Sequence, residues 1–167
     1  MQVQTKRMQQ LVDWSAAVWG GIIGGTLFAI LNWFVSPLVL GGNVWVFVRL
    51  FASPLLGEGV LAPPATFDLT AVVTALIVHY ALSIIFSLII AYIIHRGGLI
   101  GGIIGGGLLG LALYAINFYT LTLLFPWFFV MRSWLMVATH IIFGAVAGGV
   151  YEAMEVEEFV PVVEQWP

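Results

Sequence analysis

The chain has no cysteine, which excludes disulfides, thiolate metal centres and iron–sulfur clusters, so any cofactor would depend on histidine, carboxylate or main chain. Charge is scarce as well. Charged residues make up 8 % of the sequence, against about 25 % in soluble domains. The net charge of −3 provides no basic surface for a nucleic acid. No carboxylate falls inside an apolar run: Asp13 and Asp68 stand at the starts of such runs, and five glutamates lie after Tyr151. A proton or ion path of the usual acidic kind therefore has no candidates.

What fills the sequence instead is hydrocarbon. Hydrophobic residues make up 62 % and mean hydropathy is +1.09, which marks an integral membrane protein. The pattern predicts an all-α antiparallel bundle of four spans at about 14–36, 71–95, 98–125 and 133–151, followed by an acidic and apolar tail, 152–167. Asp13, Asn43 and Asp68 or Thr70 are expected as N-caps, and Pro37 is expected to stop the first span. The connection after Pro37 is long and apolar. An interfacial helix is expected at 44–52, ended by Pro54. The short turns at 95–97 and 127–132 imply helical hairpins, and His95 reads as a helix C-terminal residue.

Glycine is the most informative residue. In the third span Gly97, Gly101 and Gly105 form one stripe at steps of four, and Gly98, Gly102, Gly106 and Gly110 form a second. Gly20 and Gly24, with Gly21 and Gly25, repeat the pattern in the first span, and Gly144 and Gly148 in the fourth. Side-chain-free flanks let helices approach closely in a bilayer. A phosphate-binding loop is a poorer reading, because these glycines occupy helix interiors.

Each small-residue stripe leads to a polar side chain: Asn32 in span one, His79 in span two, Tyr114 and Asn117 in span three, His140 in span four. His79, Asn117 and His140 are expected at one depth, with Tyr80, Tyr114 and Thr139 near them, and Asn32 closer to the surface. One reading is a hydrogen-bonded cluster that fixes helix register. Another makes His79 and His140 axial ligands of a b-type haem, or ligands of a metal. Trp33, Trp45, Trp127 and Trp134 at one end, and Trp14, Tyr92 and Tyr151 at the other, read as interfacial anchors. Lys6, Arg7 and Arg96 against Arg49 and Arg132 favour cytoplasmic termini.

The run Arg49-Leu-Phe-Ala-Ser-Pro-Leu-Leu-Gly57, the segment Leu76-Ile-Val-His79-Tyr80, the Gly-rich span reaching Asn117 and Pro126, and Thr139-His140-Ile-Ile-Phe-Gly144 resemble a family of small bacterial inner-membrane proteins. Its members are often labelled sodium:proline symporter and are related to YagU-like proteins. The resemblance covers about residues 15–151. It implies four spans and places His79, Asn117 and His140 at recurring polar positions, with no activity attached. A symporter of that name would have many more spans and broken helices.

The function expected from these features is a non-catalytic, non-enzymatic subunit or assembly partner of a larger complex in the inner (plasma) membrane, without cofactor. Its contacts would be lipids and other subunits. The alternatives are a haem or metal redox subunit using His79 and His140, and a small transporter acting as a homo-oligomer. In the tail, Phe159, Val162 and Trp166 on an extended chain suit docking to a partner.

Overall fold

The computed structural model describes residues 8–161. Four helical segments are long and apolar enough to cross a membrane: Trp14–Leu40, Leu69–Ile94, Gly98–Leu123 and Trp134–Met154. The protein is a membrane-embedded antiparallel bundle. The first segment is composite, with α1 (Trp14–Ile30), a wide π turn (Leu31–Val35) and α2 (Ser36–Leu40). After α3 (Val44–Leu56) come α4 (Leu69–Ile94), α5 (Gly98–Tyr119) and α6 (Trp134–Met154).

Side chains start these helices where the sequence suggests. Asp13 Oδ1 accepts from the amides of Ser15 at 2.9 Å and Ala16 at 3.1 Å. Asn43 and Asp68 cap α3 and α4 in the same way, and Ser133, not among the expected caps, does so for α6. Each supplies an acceptor to an amide that has no partner within its helix.

The proline stops are corrected. Pro37 does not end the first span, because the π turn resets the register: the amide of Ser36 bonds to Leu31 O, five residues back. Pro37 then lies in the first turn of α2, where no amide donor is needed. The helix ends at Gly41, whose φ of +79° suits glycine. Pro54 likewise lies inside α3. It leaves the carbonyl of Leu50 without its helical donor, and Ser53 Oγ donates to that oxygen at 2.7 Å instead. α3 runs on to Leu56, beyond the expected 44–52. Arg49 anchors the chain that follows, donating to the carbonyls of Val60, Ala62 and Thr66.

The glycines set the seams between helices. A Cβ placed on Gly102, Gly106 or Gly110 would run into the backbone carbonyls of Gly148, Gly144 and His140 respectively. α5 and α6 thus touch backbone to backbone. α1 has two such faces. Gly20 and Gly24 meet α6 at Ala147 and Phe143, whereas Gly21 and Gly25 meet α4 at Ile84 and Ser83. The other stripe of α5 is no seam. Gly97 contacts only its own turn, Gly101 has nothing within 4 Å, and Gly105 meets only a methyl of Ile94; Gly98, which begins the packed stripe, has nothing within 4 Å either. Gly98 is needed for its φ of +64°.

The bundle order is therefore α4–α1–α6–α5. The expected hairpin of α4 and α5 is antiparallel but splayed: the two helices make little contact along their lengths, although only three residues join them. α1 and α6 hold them apart.

Two of the expected anchors are core residues instead. Trp33 and Tyr151 are buried, Trp33 against Phe51 and Tyr151 with its hydroxyl 3.4 Å from the amide of Asp13. Trp14, Tyr92 and Trp134 are exposed. The tail forms β2 (Phe159–Pro161), which pairs antiparallel with β1 (Met8–Gln10), Gln10 opposite Phe159. Leu11 N donates to Glu158 O at 2.9 Å, and Val156 N to Asp13 Oδ2 at 3.1 Å. Phe159 therefore meets this chain's own N-terminal strand. Its side chain stays half exposed. Val162 and Trp166 lie outside the described residues, as do Lys6 and Arg7.

Two predictions follow from the seams and the caps. Gly106→Ala or Gly110→Ala overpacks α5 against α6 and should cost about 1–3 kcal/mol, whereas Gly101→Ala, with open space around it, should be neutral or stabilising by up to ~1 kcal/mol. Denaturant titration in mixed micelles checks both. Amide bonds from Ala16, Val156 and Ser15 hold the Asp13 carboxyl below its ordinary value, against a smaller opposing effect of burial. A depressed carboxylate stabilises fully above the unfolded value of about 3.9, and that stabilisation is lost as pH falls through the folded value. The protection factor of the Val156 amide, its exchange relative to the intrinsic rate at the same pH, should fall on acidification in the native chain, and that acid-induced fall should disappear in Asp13→Asn.

Candidate functional site

α4 and α5, splayed apart, leave a cavity of about 520 Å³ between them. Its walls include Phe28 of α1, Phe51 of α3, His79 and Ser83 of α4, Asn117 and Phe118 of α5, and His140 and Phe143 of α6. The polar residues that the sequence places at one depth thus line one space.

Their bonds differ. His79 is buried, and its Nε2 lies 2.8 Å from Gly25 O. A carbonyl only accepts, so Nε2 carries the proton in the neutral ring and Nδ1 remains an acceptor. Gly25 is close enough because it has no side chain: a Cβ there would stand 2.7 Å from Ser83 Oγ. In His140, Nδ1 donates to Met136 O at 2.8 Å. Its Nε2 therefore accepts, and the Asn117 amide stands 3.3 Å away to donate. Asn117 and His140 form an interhelical pair. No hydrogen bond links His79 to them.

Phe28 separates the two histidines. Its ring lies near parallel to His79, with centroids 5.8 Å apart, and edge-on to His140 at 4.9 Å. Tyr114 packs its ring against His140 at 5.6 Å. Asn32 does not join the cluster: its Nδ2 donates back to Phe28 O at 2.9 Å, and its Oδ1 is buried without a partner among the described residues. Tyr80 pairs with Thr26, and Thr139 bonds within its own helix. His95 closes α4, with Nδ1 2.8 Å from Tyr92 O.

Several participants carry no clear sequence signal. Phe28 is one phenylalanine in an apolar span, and Gly25 O is a backbone atom. Ser87 Oγ donates to Ala17 O at 2.7 Å, tying α4 to α1; it stands eight residues from His79 in the sequence, at steps of four on the same helix face. Trp127 Nε1 donates to Ser53 Oγ at 2.8 Å and holds α3 at the cavity mouth. Arg132 donates to Phe118 O and Thr122 Oγ1, and its guanidinium stacks on Tyr119 and Phe129. Among the described residues, no group of His, Cys, Asp and Glu clusters as a metal site would.

Comparison with family models, curated proteins and solved structures finds no match to this chain.

Interhelical hydrogen bonds in membranes are worth about 0.6–2 kcal/mol. Ser87→Ala, which breaks the tie to Ala17, and Asn117→Ala, which breaks the pair with His140, should each lower unfolding stability by about that much. Titration with a denaturing detergent measures it.

Proposed function

We propose that this chain is a non-catalytic integral membrane subunit, a scaffold or assembly partner within a larger complex of the inner (plasma) membrane, with both termini on the cytoplasmic side. The observation that supports it is the use made of the polar groups inside the spans. His79, Ser87 and the Asn117–His140 pair each join two helices, which is the work of register rather than of turnover. Lys6, Arg7 and Arg96 on one side, against Arg49 and Arg132 on the other, support the orientation.

The docking surface in this reading is the strand pair and the tail beyond it. A two-stranded sheet keeps unpaired backbone along its outer edges, and a partner's extended segment can add there. Phe159 is half exposed beside it, and the glutamates nearby would form a polar rim. Phe159, Val162 and Trp166 are the proposed anchors. The test is purification of the full chain from native membranes beside a form lacking residues 155–167. A stoichiometric partner retained by the full chain and lost by the shortened form is expected. Equal recovery of every partner by both would reject the docking.

The haem reading has less support. A bis-histidine haem needs both imidazoles to present a free nitrogen to one plane between them. Here His79 Nε2 is bonded to Gly25 O, and the Phe28 ring occupies the space between the histidines. The purified protein should therefore show no Soret band; a band lost in His79→Ala would reverse this reading. Transport by a homo-oligomer would have to proceed without any carboxylate inside the apolar runs.

A further inference from the structure

The α4–α5 cavity offers more hydrogen-bonding capacity than the fold uses. His79 is 4 % exposed and Ser83 5 %. The proton of His79 is engaged by Gly25, which leaves the Nδ1 lone pair. Ser83 stands one helical turn further along α4, and its hydroxyl makes no hydrogen bond among the described residues. On the facing helix, Asn117 gives one N–H to His140 and keeps a second N–H and its carbonyl oxygen. Free acceptors and donors thus stand on opposite walls of one apolar space. Buried polar groups are ordinarily satisfied.

Size and charge narrow the occupant. The volume of about 520 Å³ lies within the range of small-molecule sites, about 300–1,000 Å³. No lining residue is Asp, Glu, Lys or Arg, so a phosphate or carboxylate head would lie there uncompensated. The head must be neutral. The walls carry several phenylalanine rings, among them Phe28, Phe51, Phe118 and Phe143, which suits a flat π system in edge and offset contacts. Polar groups on two facing walls suit a ring with hydroxyls at both ends. The mouth is framed by Leu55 of α3 and by Ile77 and Leu82 of α4, all of which line the cavity and are exposed on the outside.

We propose that this cavity binds one lipid-soluble molecule of the quinol class, a neutral dihydroxylated ring on an apolar tail. One ring hydroxyl donates to His79 Nδ1 beside Ser83, and the other bonds to Asn117. The tail leaves past Ile77 and Leu82 toward the hydrocarbon. The site stands apart from the subunit role, and its test needs no partner protein.

The experiment uses the full chain in phosphatidylcholine nanodiscs, kept anaerobic, with decyl-1,4-hydroquinone as probe and 1-dodecanol as comparator; equilibrium dialysis measures bound probe. Saturable binding of one decylhydroquinone per chain is expected, with dodecanol at least tenfold weaker. Leu82→Trp, which fills the mouth and leaves every polar group in place, should weaken the probe at least tenfold, as should His79→Phe. Where His79→Phe does not fold, Ser83→Ala serves instead, with an expected loss of several-fold. Uptake equal to that of empty discs overturns the proposal. Unchanged affinity in Leu82→Trp does so as well, and dodecanol binding as tight as the probe would show a site that recognises only a chain.

Discussion

The approach of α5 to α6, glycine against backbone carbonyl, is the constraint on which the rest depends. Gly102, Gly106 and Gly110 lie against Gly148, Gly144 and His140, and any side chain at these positions would force the helices apart. α1 is bound as tightly on two faces, to α6 through Gly20 and Gly24 and to α4 through Gly21 and Gly25. These are three close seams among four helices. In a bilayer, helix association rests on packing and interhelical bonds rather than on water exclusion, so the seams fix the arrangement. The fourth seam, α4 against α5, has only Gly105 beside Ile94 and opens into the cavity.

The same seams position the polar groups. His140 contributes its carbonyl to the contact with Gly110, which holds its backbone while its imidazole is turned by Met136 O toward Asn117. His79 is reached by Gly25 O only because α1 has no side chain there. Close approach and hydrogen bonding are one feature seen in two atoms: a glycine removes its own bulk and exposes its carbonyl.

Much of this was legible in the sequence because it is periodic. Steps of four located the seams of α1 and α6 and one of the two stripes of α5, and the short polar residues before apolar runs located the caps. What was not legible depends on compensation or on tertiary geometry. Pro37 is tolerated because a π turn shifts the register before it, and Pro54 because Ser53 supplies the donor that proline lacks; neither residue looks different from a helix stop in the sequence. Gly97 and Gly101 repeat as regularly as Gly102 and Gly106 but face no helix, since a stripe does not reveal which side a neighbour takes. The short turn at 95–97 suggested two helices in contact, whereas α1 and α6 decide their separation. Trp33 and Tyr151 sit where anchors should, and only the packing shows them to be core.

The two-stranded sheet joins segments far apart in the sequence: the bond from Val156 to Asp13 spans 143 residues. During synthesis the first strand emerges long before its complement exists. Its pairing must wait until α6 has been made and has entered the membrane in the orientation that returns the tail to the same side. A chain with an inverted or missing span would leave that strand alone. The sheet thus reports the sidedness of insertion, formed only in molecules whose tail ends on the same side of the membrane as the first strand.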